Sequence, residues 1–536
     1  MLELASVVGL TFDVATVEAL CELVESVVEP LSALVAKEFV QPPELGHDRA
    51  RFVFRHALIR DAAYAGLGKE RRARMHMRLA DWLTHGERWA GDSAELIGYH
   101  LERAFEYRGE LGSLSEESKA LGVRAAGQLW VAGRNAMNGR GDLPAAIAFL
   151  DRAVGMISDR DPTYIEICLD RAQAFAGLGR LEPAVSIIGD ALWRAREHDE
   201  RRLIARAEVR RMLVQDLIKT PDWTTEASDV AQRAIRTLER FHDDIGLAEA
   251  YVLLASVRWS QCRASLTEAA LHRAAALYHR AGDRAAELEQ VARMGATALL
   301  GPTPVGEAVK LVGRILDEVA GFPRAEASVM TDLAHLMAMR GDFDAALGLS
   351  SEAATILDEL GDRGRAASLA QTPIWVSLMM GDPAAAAEMA GSSYETLSDL
   401  GARSAQGVVG TLLARALFAL GRVEEAESLA TSIEEVRPDD VRARINCGAI
   451  RARALTSMGQ LGAGESKARE IVRLVKQTDF INEEGDARLD LAEILRSAGQ
   501  SDVAVGAAEA SLSCYERKGN LVSAERAREV LARLSD

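Results

Sequence analysis

Apolar residues fall at helical spacing in run after run along this chain. Around Gly341, one stripe is formed by Val329, Leu333, Leu336 and Met337, and a second by Phe343, Ala346, Leu347, Ala353, Ala354 and Leu357. Between them stands Gly341-Asp342-Phe343-Asp344-Ala345-Ala346. Its Gly-x-x-x-x-Ala spacing returns at Gly141/Ala146, Gly179/Ala184, Gly381/Ala386, Gly421/Ala426 and Gly499/Ala504, and with a second glycine at Gly459/Gly464. The period is about 40 residues, and in the same phase the gap between Gly179 and Gly341 offers Ala227, Ala269 and Ala308, which gives about ten units from residue 115 to the C-terminus. A second set of breaks falls midway: Asp159, Asp199, Asp243, Gly282-Asp283, Gly321, Gly361-Asp362, Gly401, Asp439, Asp479 and Gly519-Asn520. Two breaks per period predict two helices per unit.

Local chemistry agrees with that reading. Asp382-Pro383 and Asp161-Pro162 place a capping acid before a proline at the first helical position, where the missing N–H costs nothing. The marker glycines fall just past a helix end, where a left-handed residue is wanted. The alanine five residues on sits where paired helices approach closest, and a larger side chain there would push them apart. A single pair of about 40 residues is too small to bury a sufficient core, so the units must stack. Ten stacked units predict an extended superhelix with a concave groove suited to peptides, helices or other domains. The Gly-x-x-x-x-Ala signature favours tetratricopeptide-like repeats, although HEAT and armadillo repeats have this length.

Residues 1–90 follow another pattern. Asp13 before Val14 and Ser26-Val27-Val28-Glu29 before Leu31 to Val35 read as helix starts. Phe39-Val40 and Arg51 to Arg55 alternate like strands, around Pro42-Pro43 and Gly46-His47-Asp48 as turn chemistry. Ala57 to Ala65 and Arg71 to Thr84 return to helical spacing, with Met75, Leu79, Trp82 and Leu83 on one face. Helices followed by a hairpin predict a small winged-helix domain at 1–90, then a helical connector at 91–114 and the repeat array at 115–536. The expected fold is thus all-α, a tetratricopeptide-like α-solenoid behind a winged helix with one β-hairpin.

The stretches Leu4 to Gly9 with Phe12, Phe52-Val53-Phe54-Arg55-His56-Ala57-Leu58-Ile59-Arg60-Asp61-Ala62-Ala63-Tyr64, Arg71 to Leu83, and Glu95-Leu96-Ile97-Gly98-Tyr99-His100-Leu101 with Tyr107-Arg108 carry a resemblance. They resemble the region after the nucleotide-binding domain in bacterial signal-transduction ATPases with numerous domains, the large regulators linked to adenylate cyclase or LuxR-type DNA-binding domains. That family's ATPase carries a Gly-x-x-x-x-Gly-Lys-Ser/Thr loop, which does not occur here; Gly66-Leu67-Gly68-Lys69-Glu70 lacks the spacing and reads as a turn. The chain begins where the ATPase of such relatives ends, as a standalone regulator or as the C-terminal part of a larger one. The resemblance also implies a role for His56. In the family a Met-His-Asp motif at this place touches the phosphate of bound ADP, but here Ala57 replaces the acid. His56 is therefore either a nucleotide sensor working with a partner ATPase domain packed on residues 1–90, or a histidine hydrogen-bonded at the strand-to-helix junction.

Composition narrows the function. The net charge of -17, from 63 Lys and Arg against 80 Asp and Glu, argues against nucleic acid as partner of the whole chain. Nine basic residues between Arg49 and Arg78 form the one strongly positive region, read as solvated or domain-facing. The helix Val27 to Lys37, which a DNA-reading winged helix would place in the major groove, offers Glu29, Ser32 and Lys37, and reads as built for burial against protein. Five scattered cysteines without Cys-x-x-Cys predict neither disulfides nor zinc; Met1-Leu2-Glu3-Leu4 lacks the basic region of a signal peptide and no apolar run approaches a membrane span, so a cytoplasmic protein is expected.

Candidate chemistry is sparse. His198, His242, His279 and His335 have no second ligand at helical spacing, so no metal site is expected. Trp193, Trp223, Trp259 and Trp375 read as core fillers, with the groove wall as the alternative. Asn135, Asn138, Asn446, Asn482 and Asn520 lack the Lys/Asn spacing of a carboxylate clamp. No catalytic constellation, cofactor site or pocket fit for chemistry is expected. The expected function is a non-enzymatic regulator or scaffold in signal transduction, holding a protein partner or small inducer in the concave groove. The alternative is the C-terminal part of a signalling ATPase, an adenylate cyclase or a LuxR-type transcriptional regulator.

Overall fold

A computed structural model describes the chain except for residues 22–26, 43–50, 86–92, 113–114, 219–221, 437, 439 and 536. The fold is a tetratricopeptide-like α-solenoid with a small strand-containing part at its N-terminal end. Contacts divide it into two units: residues 1–137 with 143–171, and residues 138–142 with 172–536.

The first unit opens with Leu2–Val8 (α1), Thr11–Asp13 (β1), Val14–Leu20 (α2), Val28–Ala36 (α3), Val40–Gln41 (β2) and Arg51–Phe54 (β3). Asp13 caps α2 as its sequence predicts, accepting from the Thr16 amide at 2.7 Å. The hairpin of β2 and β3 gains a third strand that short-range alternation did not reveal, because β1 is only three residues long. The antiparallel order is β1-β3-β2, with Phe12 opposite Phe52 and Val40 opposite Phe54. Phe12 then packs on Phe52 and Phe54 at ring distances of 5.9 and 5.4 Å. The Ser26 cap and the Pro43 to Asp48 turn lie outside the described residues. Of the helix Val27 to Lys37, expected to be built for burial, Val27 and Leu31 are fully buried and Leu34 and Val35 pack on the same core, while Val28 is 54% exposed. There follow Ala57–Gly66 (α4), Lys69–His85 (α5), Ser93–Glu110 (α6), Glu116–Arg134 (α7), a π turn at Asn135–Arg140, Leu143–Val154 (α8) and the start of Pro162–Gly177 (α9). Met75, Leu79 and Leu83 of α5 enter the core with Phe12, Leu31 and Phe54.

The second unit continues with Leu181–Glu197 (α10), Arg201–Ile218 (α11), Trp223–Phe241 (α12), Asp244–Ser260 (α13), Ala264–Arg280 (α14), Arg284–Leu300 (α15) and Val305–Glu318 (α16). Next come Pro323–Met339 (α17), Phe343–Glu359 (α18), Arg363–Leu369 (α19), Gln371–Met379 (α20), Pro383–Asp399 (α21) and Arg403–Ala419 (α22). Val423–Val436 (α23), Val441–Ser457 (α24), Leu461–Val475 (α25), Ile481–Ser497 (α26), Ser501–Lys518 (α27) and Leu521–Ser535 (α28) complete the chain. Starting from α7, these are ten pairs in chain order with α28 as a closing helix. One pair has its first helix split into α19 and α20. Pro373 lacks an N–H and its ring conflicts with the carbonyl four residues before it, and α19 ends at that residue, Leu369. Among the described residues the last strand is β3.

The repeat marker has a direct geometric cause. All seven marker glycines hold positive φ, from 71° at Gly141 to 89° at Gly341, the conformation that ends one helix and starts the next. Ala146, Ala184, Ala346, Ala386, Ala426 and Ala504 are fully buried. Ala227 and Ala308, placed by phase alone, are buried as well, but Ala269 is exposed. There Cys262 takes the left-handed turn (φ 54°), and Thr267, five residues on, fills the contact. In the Gly341 unit, Leu347 of the expected apolar stripe is 37% exposed.

Gly464 departs from alanine because a Cβ there would lie 2.2 Å from Thr456 Oγ1 and 2.8 Å from the Ala452 carbonyl. Gly464→Ala is therefore expected to lower stability by about 2 kcal/mol, with Thr456→Ala recovering part of it, as read by urea denaturation. Equal stability of the single variant and the parent contradicts this helix approach.

In the second unit the concave groove expected from the repeats is closed in by contacts between successive turns. The unit coils so tightly that residues one superhelical turn apart meet. A Cβ on Gly179 would lie 3.2 Å from Leu400, and one on Gly401 3.7 Å from Leu181. Further along, Asp479 accepts from the amides of Ala264 (2.6 Å) and Ser265 (2.9 Å), 215 and 214 residues away, and so caps α14. Lys518 donates to the carbonyls of Ala298 (2.9 Å), Gly301 (2.7 Å) and Thr303 (2.7 Å) at the end of α15. Each charge suits the helix end it meets, a carboxylate at an N-terminus and an ammonium at a C-terminus. Asp479→Ala is expected to cost about 1–2 kcal/mol and to speed hydrogen exchange at Ala264 and Ser265 ahead of the rest of α14.

Candidate functional site

The first helices of successive pairs in the second unit face an axial cavity. It has about 1030 Å³ not filled by protein atoms, part of it open to solvent. Residues reach it from α13, α15, α17, α20, α22, α24, α26 and α28.

One part of the lining is aromatic and apolar. Trp259 and Trp375 both line the cavity, whereas Trp223 is core and Trp193 is 58% exposed. The His335 ring lies on Trp375, centroids 3.7 Å apart. Burial, then the positive charges of Arg442 and Lys518, hold His335 down to about 3, so it is neutral at physiological pH. Leu300, Met339, Val408 and Leu412 continue this surface.

The polar part carries Arg415, Asp440, Arg442, Glu483 and Asp486. Tyr515 donates to Asp486 at 2.6 Å, and Arg415 reaches the other Asp486 oxygen at 3.3 Å. Arg442 lies over Trp259 and Phe480 at 5.9 and 6.0 Å, and its Nε is 3.9 Å from Glu483. Arg442 Nε and Glu483 Oε2 are buried without a hydrogen-bond partner. Burial pushes the Glu483 carboxyl up and outweighs the pull of Arg442. A buried pair this loosely made is under-satisfied, and a ligand offering one donor and one acceptor would complete it.

Asn446, Asn482 and Asn520 line the same cavity. They stand one per pair, and that periodicity was the available signal. Clamp spacing with lysine does not pick them out, because they recur from one helix pair to the next and not within one. Asn520 donates to Asn482 at 3.2 Å, and Asn482 contacts Met339 Sδ at 3.6 Å, 143 residues away. Asn446 donates to the Arg442 carbonyl at 3.1 Å. No described group of three or more His, Cys, Asp or Glu is placed to hold a metal ion, and no described helix is long and apolar enough to cross a membrane.

In the first unit, three of the stretches that carried the resemblance, all but Leu4 to Gly9, meet in one largely buried network. His76 and His100 meet Nδ1 to Nδ1 at 2.8 Å, His76 Nε2 meets the Tyr64 hydroxyl at 2.8 Å, and that hydroxyl meets Tyr107 at 2.9 Å. Arg103 donates to Tyr107 at 2.8 Å, and the Arg72 guanidinium lies 4.7 Å from the Tyr64 ring centre. Burial drives His76 down to about 3 and His100 to about 4. Gly98 of the same motif lets α7 approach, since a Cβ there would lie 2.9 Å from Leu129. The network ties α4, α5 and α6 together.

His56 stands at the junction before α4, exposed and with no side-chain capping bond. Gly66 to Lys69 is a turn between α4 and α5. Part of the basic region is spent on the chain itself: Arg55 pairs with Glu38 (3.0 Å), Lys69 with Glu110 (3.0 Å), Arg71 with Glu3 (2.9 Å) and Arg60 with Asp61.

No protein-family model and no curated protein matches the chain. Among solved structures it is similar to a signal-transduction ATPase with numerous domains bearing a tetratricopeptide repeat sensor, from Pyrococcus horikoshii (13% identity, 99% of this chain, 64% of that one, TM-score 0.31). It is also similar to a Rap protein complexed with competence and sporulation factor (10%, 70% and 98%, TM-score 0.37) and to yeast Tom70 (13%, 86% and 96%, TM-score 0.34). This chain thus spans 64% of the length of the ATPase. Likeness at this level concerns fold alone.

Proposed function

We propose that the protein is a non-enzymatic regulator or scaffold of signal transduction, and that it binds a short segment of a protein partner in the axial cavity of its second unit. The observation that carries this reading is the lining itself. Trp259, Trp375 and Leu412 offer apolar area, while Arg442, Glu483 and Asn446 offer unsatisfied or partly satisfied donors and acceptors beside it. A few placed polar groups in an otherwise apolar concave site are what fix a ligand's orientation. The best-fitting segment has a bulky apolar side chain next to a backbone or side-chain amide, which supplies both a donor and an acceptor.

A photocrosslinking residue at Ser404, in the lining, is expected to join one defined peptide sequence in host cells, and the same residue at the exposed Glu352 is not. The synthetic peptide should then compete the crosslink away. Equal capture at both positions rejects the reading.

A second reading is favoured by α4. This helix buries no residue, and its Leu58 is 69% exposed. In that reading residues 1–90 are a winged-helix-like domain whose α4 face packs on a nucleotide-binding ATPase domain, in the same longer polypeptide or in a partner. His56 heads that face, where a phosphate sensor would stand. Protection of α4 amides on adding such an ATPase domain tests it.

A further inference from the structure

One face of α17 carries Ser328, Asp332, His335 and Met339, at the i, i+4, i+7 and i+11 spacing of a single helical stripe. Three of the four have a partner on another helix. The Ser328 hydroxyl accepts from Arg365 at 2.7 Å, the His335 ring lies on Trp375, and Met339 Sδ meets the Asn482 amide. His335 and Met339 also line the axial cavity. Asp332 stands one turn before His335, about 4.5 Å along the helix axis, and among the described residues it has neither a hydrogen bond nor an ion pair. Other acids on the first helices of the second unit are matched to arginine: Glu249 with Arg210 (2.5 Å), Glu289 with Arg365 (2.8 Å), Asp486 with Arg415 (3.3 Å) and Asp490 with Arg453 (3.6 Å). Arg293 of α15 is engaged with Gln290 (3.1 Å) and Ser256 (3.5 Å). The Asp332 carboxyl rests instead on Gly295 of α15. A Cβ there would lie 2.7 Å from Asp332 Oδ2, and the three atoms nearest to it all belong to Asp332. Glycine inside a helix is less favourable than alanine, so α15 gives up stability to make room for this acid. Burial pushes the carboxyl well up, as it does for an acid with no counter-charge, yet the side chain is only half-buried and open to a ligand.

We propose that Asp332 is the cation subsite of the axial cavity: the bound segment carries a lysine or arginine side chain that pairs with this carboxylate, while a neighbouring apolar side chain lies against Trp375 and Leu412. The proposal rests on the reading of the cavity as a peptide site and names what that peptide must carry. A ligand cation gives Asp332 the counter-charge that the chain supplies to its other inward acids and withholds here. The net charge of -17 draws cationic segments toward the protein at long range. The polar surface runs on past Asp332 to Ser328, Arg365 and Glu289, so a segment need not end at Asp332, which favours a side chain over a free amino terminus.

The test uses the full chain and three short probes: acetyl-phenylalanyl-lysine amide, the same peptide with norleucine in place of lysine, and the norleucine peptide with its amino terminus free. Affinities are read by ligand-observed NMR. The parent is expected to bind the lysine peptide about tenfold tighter than the acetylated norleucine peptide, the gain of a charge-assisted pair. Asp332→Asn should bind those two alike, and Asp332→Glu should keep part of the preference. Asp332→Asn should also melt no lower than the parent, because the amide removes a charge that has no partner within the chain. Equal binding of the two acetylated peptides by the parent, or binding of neither, overturns the cation subsite, and so does a lysine preference that survives in Asp332→Asn. A lower melting temperature for that variant overturns it as well, since the carboxylate then holds the fold. Tightest binding of the peptide with the free amino terminus overturns the assignment to a side chain. Specific capture at Ser404 without a lysine preference rejects the subsite alone, and a lysine preference without such capture rejects the proposed function alone.

Discussion

Lowering the pH from about 8 to about 5 is expected to destabilise the first unit by roughly 4 kcal/mol, most of it through His76 and His100. Both imidazoles are buried, meet each other through Nδ1, and are held down to about 3 and about 4. In the unfolded chain a histidine takes its proton near pH 6.5. Between the folded and unfolded values the unfolded state therefore binds more protons, and stability rises with pH. It is complete above about pH 7 and falls as the pH drops through 6.5. By pH 5 each histidine has lost about 1.5 pH units of linkage, or roughly 2 kcal/mol, and this holds for any folded value well below 5. Hydrogen exchange resolved to α5 and α6 at several pH values would measure it. The double variant His76→Gln, His100→Gln should be less stable at pH 8 and nearly flat between pH 8 and 5. A slope that survives in that variant places its source elsewhere.

The network explains which parts of the first unit were legible. Tyr64, His100 and Tyr107 stood out only through a resemblance, in strings whose cause no periodicity reveals, because their partners lie 12 to 43 residues apart. The solenoid was plainer. A glycine at positive φ is needed once per pair and an alanine at each close approach, so the same two residue types recur at fixed spacing and announce ten pairs. The reading failed where another residue could do the same work, as Cys262 and Thr267 do in place of glycine and alanine.

The cavity was harder to read for a related reason. Periodicity fixes what each pair does with its neighbour but not the pitch of the superhelix, and pitch decides whether the groove stays open. Here it is set by contacts between residues more than two hundred apart, such as Asp479 with Ala264. In the sequence Asp479 is one more acid in a turn. Trp259 and Trp375 were read as core for the same reason, since an inward-facing tryptophan and a buried one have identical spacing.

Lys518→Met is expected to cost the second unit about 3 kcal/mol at neutral pH, through two opposed effects. The Lys518 ammonium is fully buried and answers three carbonyls at the end of α15 and just beyond it. Removing it leaves those oxygens without their donor, at about 2 kcal/mol each or roughly 6 in all. Burial also holds Lys518 down to about 8 from its ordinary 10.5, with Glu483 pulling the other way. That is an unfavourable contribution of about 3 kcal/mol that methionine does not carry. The difference, about 3 kcal/mol, favours the parent. The two effects separate with pH. Between pH 8 and 10.5 the unfolded chain keeps the Lys518 proton that the folded chain has released, so this residue adds stability to the parent as pH rises. A thioether in its place cannot titrate, and the gap between parent and variant should widen by about 2 kcal/mol by pH 10. Urea denaturation of both proteins across that range, followed at Trp259 and Trp375, would show it. A variant as stable as the parent at pH 7 means that the carbonyls find water instead, and Lys518 is then not what holds the turns together.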